Sequence, residues 1–394
     1  MMVVSAEKVL KACFKIFGEN RKTIIFGAGE NGVKLLQLME ELGRKADFFC
    51  DNSEEKAGKE IKGIPCISYE ELKQIGDAVI FVSPSHADSI YRQLEDDGIS
   101  GVVPDEIIEL IGFLPRRDIC LQSIGHFYSL YPDFDDIRQN RGRIFDRAKT
   151  VLDIELNEEA QCRLLKEMAA FYPILPKWKR MGEENGEYRY RYGNPSLSPG
   201  DSVALFCMLQ LLKPKRVIEV GSGFSSSIML DVNEHYRNGE MELCFIEPFP
   251  EVLKALCKPS DKIFLRESGL QEIEVEFFDS LESGDVLFID STHVSKINSD
   301  VNYLLFEILP RLKKGVYIHF HDIFYPFEYP ESWILESGYI WNECYLLRAF
   351  LQNNKEYSIE FFHNMMEQKH MEIFMESWSL EEKPHGGSLW LRKQ

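Results

Sequence analysis

The stretch V-I-E-V-G-S-G-F-S-S-S, from Val217 to Ser227, changes character halfway along. Its first half is a short apolar run suited to a buried parallel strand, and its second half is Gly and Ser leading into an amphipathic segment. The pattern predicts a strand, a tight turn and a helix. Gly221 and Gly223 let the backbone turn sharply and approach a ligand, while free amides at the start of the following helix can meet polar or anionic groups. Glu219, just before the turn, is placed to accept from a ligand ammonium or ribose.

The segments downstream repeat the theme. Met241 to Phe249 reads as a second strand followed by Glu247, the position where doubly wound sheets put an acid that holds a ribose diol. Gly284 to Asp290 and Gly315 to Asp322 read as two further strands, each closing on an acid. Strands alternating with helical segments predict an α/β fold with a doubly wound, mostly parallel sheet.

These residues resemble the class I S-adenosylmethionine-dependent methyltransferases. The likeness is carried by the E-V-G-S-G-F-S turn, Glu247, I-D-S-T-H at 289 to 293, H-F-H-D-I-F at 319 to 324, and G-G-S-L-W-L-R-K at 386 to 393, which is similar to the family's last, antiparallel strand. It covers Tyr188 to the C-terminus and looks most like a bacterial branch acting on the hydroxyls of small molecules and glycans. The resemblance implies S-adenosylmethionine as cofactor. It sets Glu219, Gly221, Ser222 and Gly223 against the methionine part and Glu247 against the ribose. Asp290, His293, His321 and Asp322 then fall near the reacting methyl.

Methyl transfer to oxygen is an in-line displacement, and a hydroxyl is a poor nucleophile until its proton is removed. His293 or His321 can act as the base, since imidazole titrates near neutrality. Alternatively, Asp290 and Asp322 with one histidine hold a divalent cation that lowers the hydroxyl's pKa. Ile323 follows Asp322 where the metal-dependent relatives resemble Asp-Asn, which weighs against the cation. His319, inside its strand, reads as structural. The aromatic loop that follows, with Tyr325, Tyr329, Trp333 and Trp341, is a candidate to stack on a sugar or cover an apolar acceptor. Glu343 reads as a helix-start carboxylate.

The N-terminal part opens with T-I-I-F-G-A-G-E-N-G-V at 23 to 33. Gly27, Gly29 and Gly32 form a G-x-G-x-x-G turn between strand and helix, and Asp51 follows the next strand at the spacing of a ribose-binding acid. This part resembles the small Rossmann-like domains attached to bacterial sugar-modifying and nucleotide-sugar enzymes. Two readings stand side by side: a site for a nucleotide or nucleotide-linked sugar, and a glycine turn retained for helix packing in a scaffolding domain. Residues 1 to about 20 read as a leading helix, and Val102 and Val103 as a last short strand.

Length and composition set the frame. The 394 residues suffice for two domains of ordinary size. The expected division is a Rossmann-like domain over 1–112, a helical connector over 113–187 and a methyltransferase domain over 188–394. Tyr188 to Pro195, alternating aromatic and basic residues, is either an edge strand or a flap. A formal net charge of −19 argues against nucleic acid or an anionic membrane as principal partner. Nine cysteines without a C-x-x-C pair suggest neither a zinc site nor a disulfide framework. No long apolar run or secretory leader is apparent, so a cytoplasmic enzyme acting on a small-molecule or carbohydrate acceptor is expected, with a homo-oligomer left open. Two rival readings remain: an oxidoreductase using a nicotinamide cofactor at the N-terminal turn, and a non-catalytic methyltransferase fold.

Overall fold

A computed structural model describes residues 6–17, 21–41, 43–53, 55–83, 87–104, 107, 125–184, 186–378 and 382–394. The chain divides into two compact units, Met1–Asp135 and Asp136–Gln394. The expected boundary at 112 lies outside the described residues. Residues 136–187 fall within the C-terminal unit, where helix Glu158–Ala169 packs against a strand of the main sheet. No described helix is long and apolar enough to cross a membrane.

The N-terminal unit holds a five-stranded sheet of β1 (Lys22–Phe26), β2 (Phe48–Cys50), β3 (Glu60–Ile61), β4 (Ile64–Ile67) and β5 (Ala78–Val82), in the order β3-β4-β2-β1-β5. All pairings are parallel except the β3–β4 hairpin. Strands β1, after its exposed first residue, and β5 are buried on both faces, as cover by helices on either side requires. Helix Glu30–Glu41 turns Leu35, Leu36 and Met39 into this core. The described part of the leading helix, Ala6–Phe17, buries Cys13 and Phe14. The strand expected at Val102 is a single bridge to Ile80, because Gly101 and Pro104 bracket it and leave no run to pair.

The C-terminal unit is built on a seven-stranded sheet. Its strands are β8 (Arg216–Val220), β9 (Glu242–Ile246), β10 (Ile263–Arg266), β11 (Val286–Ile289), β12 (Tyr317–Phe320), β13 (Tyr357–Phe362) and β14 (Leu389–Lys393). Their order is β10-β9-β8-β11-β12-β14-β13, with β14 antiparallel to both neighbours and the five strands from β10 to β12 parallel. The two short strands β6 (Lys179–Arg180) and β7 (Arg191–Tyr192) pair separately. Sequence order reverses between β8 and β11, which opens a ligand crevice at the strands' carboxyl ends. β13 was not anticipated, although Tyr357–Phe362 alternates buried and half-buried residues over most of its length. Helix Pro199–Leu212 is buried nearly all round and caps its own start with Ser198 accepting from the Asp201 amide.

Tyr188 to Tyr192 is anchored rather than poised as a flap. The Arg189 side chain, 4% exposed, lies 2.7 Å from Asp231, 2.8 Å from Glu234 and 2.7 Å from Asp261. Tyr190 is fully buried and donates its hydroxyl to the Leu197 carbonyl.

Candidate active site

The glycine turn after β8 is shaped by a close approach. Gly221 has φ +80°, and a Cβ there would sit 1.8 Å from the Asp290 carbonyl oxygen, so only glycine permits this contact between the ends of β8 and β11. Backbone bonds complete the alignment, from Asp290 N to the Val220 carbonyl and from His321 N to the Ile289 carbonyl, both at 2.9 Å. The three strand ends therefore converge.

Glu219 does not face the crevice. It is fully buried, and its two oxygens accept from the Ser225 and Ser226 hydroxyls in the first turn of helix Phe224–Tyr236. Burial pushes its carboxyl up to about 8 against these hydroxyls. Its place is inside the turn, because the strand's pleat points residue 219 toward the helix. Glu247, after β9, accepts the Ser222 amide at 2.9 Å on one oxygen and the Phe249 amide at 2.8 Å on the other. The Ser222 hydroxyl is buried without a partner, and nothing lies within 4 Å of a Cβ built on Gly223. An orphaned hydroxyl beside open space suits an incoming polar ligand, so this turn fits the cofactor's charged end.

Asp290, His293, His321 and Asp322 are brought together. The His293 Nε2 lies 3.3 Å from Asp290 and 3.8 Å from Asp322, and the His321 Nε2 lies 3.6 Å from Asp322. Both His293 and Asp322 hold left-handed backbone angles, φ +59° and +58°. Side chains rarely tolerate such angles, and they concentrate where geometry serves a site. Burial works against charge on His293, yet hydrogen bonds to Asp290 and Glu343 raise it well above its ordinary value. Burial likewise opposes charge on His321, but Asp322, Asp290 and Asp201 lift it to about 9. For Asp322 burial dominates and pushes the carboxyl up to about 6 despite the two imidazoles. Asp290, buried but facing both histidines, is held below the usual carboxylate range.

Two members of the constellation escaped the sequence reading. Glu343, 1% exposed, places Oε2 2.8 Å from the His293 Nδ1, so the residue read as a helix-start carboxylate fixes the imidazole. Asp201, at the start of helix Pro199–Leu212, accepts the Gly387 amide at 3.0 Å and the Ser198 hydroxyl at 2.7 Å. It also accepts the Ser388 hydroxyl, tying the approach to β14 against the site. No spacing rule could have exposed either residue.

A cavity of about 740 Å³ opens over this cluster, with Asp290, His293, His321 and Asp322 on its floor and Trp333 and Trp341 in its wall. Trp341 stacks on Tyr339 at 4.6 Å and packs against the His293 ring at 4.4 Å. Tyr325 and Tyr329 are not in this wall. Tyr329 is 1% exposed and its hydroxyl accepts the Cys344 amide, while Tyr325 is buried facing a neighbouring cavity. They pack the base of the aromatic loop, ahead of the short helix Glu331–Leu335 that carries Trp333.

The ligand atoms of Asp290, His293 and Asp322 lie within 4.8 Å of one another. Two carboxylates and one imidazole, with Glu343 behind the imidazole, match the donor set and outer shell of a divalent-cation site. A second acidic trio, Asp231, Glu234 and His235, is instead occupied by the Arg189 guanidinium, which bonds both acids.

In the N-terminal unit, Gly27 has φ +106°, and a Cβ on Gly32 would meet the Gly27 carbonyl at 1.8 Å, which locks helix against turn. Gly29 faces open space. Asp51 accepts the Ala28 amide at 2.7 Å and the Ser53 amide at 3.0 Å, and Lys56 stands 3.0 Å away. The Ala28–Asp51 bond repeats the Ser222–Glu247 bond of the other unit.

Residues 218–323 match a family described as a methyltransferase domain, and residues 18–105 match one described as a CoA binding domain. An uncharacterized protein of Archaeoglobus fulgidus is 34% identical over 162 residues, 40% of this chain and 72% of the relative. Among solved structures, the methyltransferase FkbM from Methylobacillus flagellatus is 14% identical, with 98% of this chain and 93% of that one covered at a TM-score of 0.40. The plantazolicin methyltransferase BpumL, solved with a desmethylPZN analogue and SAH, is also 14% identical, with coverage of 49% and 82% and a TM-score of 0.32. The methyltransferase match spans β8 to the end of β12, the part of the sheet that carries the glycine turn, Glu247, Asp290 and Asp322. The C-terminal unit therefore carries a methyltransferase domain of the class I, S-adenosylmethionine-dependent kind, and a Rossmann-like domain of the CoA-binding kind precedes it in the chain.

Proposed function

We propose that the C-terminal unit methylates a hydroxyl of a sugar or glycan precursor. The observation that carries this reading is the Asp290–His293–Asp322 cluster at the floor of a cavity walled by Trp333 and Trp341. Carboxylates and imidazoles bond hydroxyls, and flat indoles cover the apolar face of a sugar ring. S-adenosylmethionine, when bound, supplies a methyl group on a sulfonium. Gly221, Ser222, Gly223 and Glu247 are the residues to hold it.

Asp322 takes the proton of the acceptor hydroxyl. It faces the cavity between two imidazoles whose positive charge keeps a carboxylate available. The freed oxygen pair forms the new bond to carbon, and the carbon–sulfur pair stays on sulfur. His293, fixed by Glu343, and His321 stand 3.8 and 3.6 Å from Asp322, and the surrounding carboxylates raise both imidazoles above their ordinary value, which suits them to steadying Asp322 better than to proton abstraction. A divalent cation held by Asp290, His293 and Asp322 is the second reading, favoured by the closeness of their ligand atoms; it would lower the pKa of a bound hydroxyl.

The test is calorimetric titration of the full chain with S-adenosylhomocysteine, followed by transfer of labelled methyl to carbohydrate fractions. Asp322→Asn is expected to bind S-adenosylhomocysteine as the wild type does and to lose transfer ~100-fold or more. Equal loss of binding would overturn the role of Asp322. Retained activity in a chelator would dismiss the cation.

For the N-terminal unit we infer a site for a nucleotide-bearing ligand at Gly27, Gly29, Gly32 and Asp51, supported by Lys56 beside the turn as a partner for phosphate. Titration with coenzyme A and with a nucleotide sugar, in wild type and Gly29→Glu, tests it. Heat with neither ligand would leave the turn a packing device.

A further inference from the structure

The reactive cavity does not end at its own walls. It shares Phe324, His385 and Gly386 with a second cavity of about 390 Å³, which in turn shares Arg147, Tyr325 and Gln368 with a third of about 640 Å³. The three form one run, and their chemistry changes along it. The lining of the reactive cavity contains Asp201, Asp290 and Asp322 and no lysine or arginine. The middle cavity offers the side-chain amides of Asn364 and Gln368 among carboxylates. The lining of the third contains Arg147, Lys149 and Lys369 and no carboxylate.

That last feature stands against a chain whose net charge is −19. Lys369 is partly engaged, 2.8 Å from Glu158 and 5.3 Å from the Tyr325 ring centroid, and Lys149 donates to the Ile144 carbonyl. Arg147 has no ion-pair partner among the described residues. A guanidinium with unused donors, flanked by two ammonium groups, is the arrangement that recognises a phosphate or carboxylate.

We propose that the run is an acceptor groove for an elongated anionic saccharide. The hydroxyl to be methylated enters over Asp322, the next unit crosses the His385–Gly386 sill onto the amides of Asn364 and Gln368, and a distal phosphate meets Arg147, Lys149 and Lys369. The reactive cavity balances its carboxylates against His293 and His321, whereas the far end offers three cations and no carboxylate, so an anionic group is accepted there and charge sets the direction in which the acceptor lies. The assignment rests on the methyl-transfer reading and adds the length and charge of the acceptor to it.

The test uses the full chain saturated with S-adenosylhomocysteine, without divalent cations, and three probes: inorganic pyrophosphate, maltose and maltose 1-phosphate. Pyrophosphate is expected to bind, more weakly as salt rises, and to lose ~10-fold or more in affinity in Arg147→Gln/Lys149→Gln. Maltose 1-phosphate is expected to bind ~10-fold or more tighter than maltose in the wild type and no tighter in the double variant. Unchanged S-adenosylhomocysteine binding shows the variant is folded, and Arg147→Glu alone should reproduce the loss. Absence of phosphate binding, or binding indifferent to the substitutions while S-adenosylhomocysteine still binds, overturns the groove alone. Absence of S-adenosylhomocysteine binding in the wild type overturns the methyl-transfer reading and the groove with it.

Discussion

Glu343 and His293, fifty positions apart in sequence, meet at 2.8 Å in the interior, carboxylate against Nδ1. The bond leaves Nε2 of His293 as the nitrogen that faces Asp290 and Asp322. A group that orients an imidazole without reaching the reacting atoms should matter to turnover more than to cofactor binding. Glu343→Gln is expected to lower methyl transfer ~10–100-fold while S-adenosylhomocysteine affinity stays within about twofold. Calorimetry beside a labelled-methyl assay checks both halves, and a parallel loss in the two would make Glu343 a structural residue only.

The glycine at 221 is required by space as well as by angle. Gly221→Ala forces a left-handed φ on a residue with a side chain and drives its Cβ into the Asp290 carbonyl. Destabilisation of ~2 kcal/mol or more is expected, with cofactor affinity falling at least ~10-fold as β8 and β11 separate. Urea unfolding and calorimetry on the same preparation measure the two effects, and wild-type behaviour in both would show that the close approach is dispensable.

Glu219 gives a pH dependence with a definite sign. Its carboxyl is raised in the folded state to about 8 by burial. The stability this group contributes is therefore complete below its ordinary value near 4.5, and is lost as pH rises through about 8. Thermal melting of the C-terminal unit should fall between pH 6 and pH 9. Glu219→Gln should flatten that fall and be more stable than wild type at pH 9 by ~2 kcal/mol. Parallel curves for the two proteins would contradict the buried, protonated carboxyl.

The Arg189 network is predicted to be structural. Removing the guanidinium leaves Asp231, 2% exposed, without its countercharge. Arg189→Ala should cost ~3–5 kcal/mol in urea unfolding. Adding Asp231→Asn should recover a substantial part of that loss, since the uncompensated charge is what makes the single change expensive. If the double variant were no better than the single, packing of the arginine stem would be the larger effect.

The parts of the site that could be read in the sequence are those where local pattern and chemistry coincide. Gly221, Glu247, Asp290 and Asp322 each follow a short apolar run, and a parallel strand places whatever follows it at the ligand edge. Tyr329 and Glu219 show the limit of that logic. Both lie where a site was expected, yet one hydroxyl serves a backbone amide and one carboxylate serves two serines. Which way a side chain points depends on the pleat and on what packs opposite.

The sequence by itself determined the two α/β units, the two glycine turns and the acids at the strand ends, because these depend on period, on glycine's freedom at positive φ and on the fixed geometry of a strand running into a helix. Only the tertiary structure decided that Asp201 and Glu343 join His293, His321 and Asp322, that Arg189 is locked into Asp231, and that three cavities run together toward Arg147. Those relations join residues from distant segments, and they arise when the sheet order β10-β9-β8-β11-β12-β14-β13 sets the ends of non-consecutive strands side by side. Contacts of that kind follow from packing of the whole unit and leave no mark in any local stretch of chain.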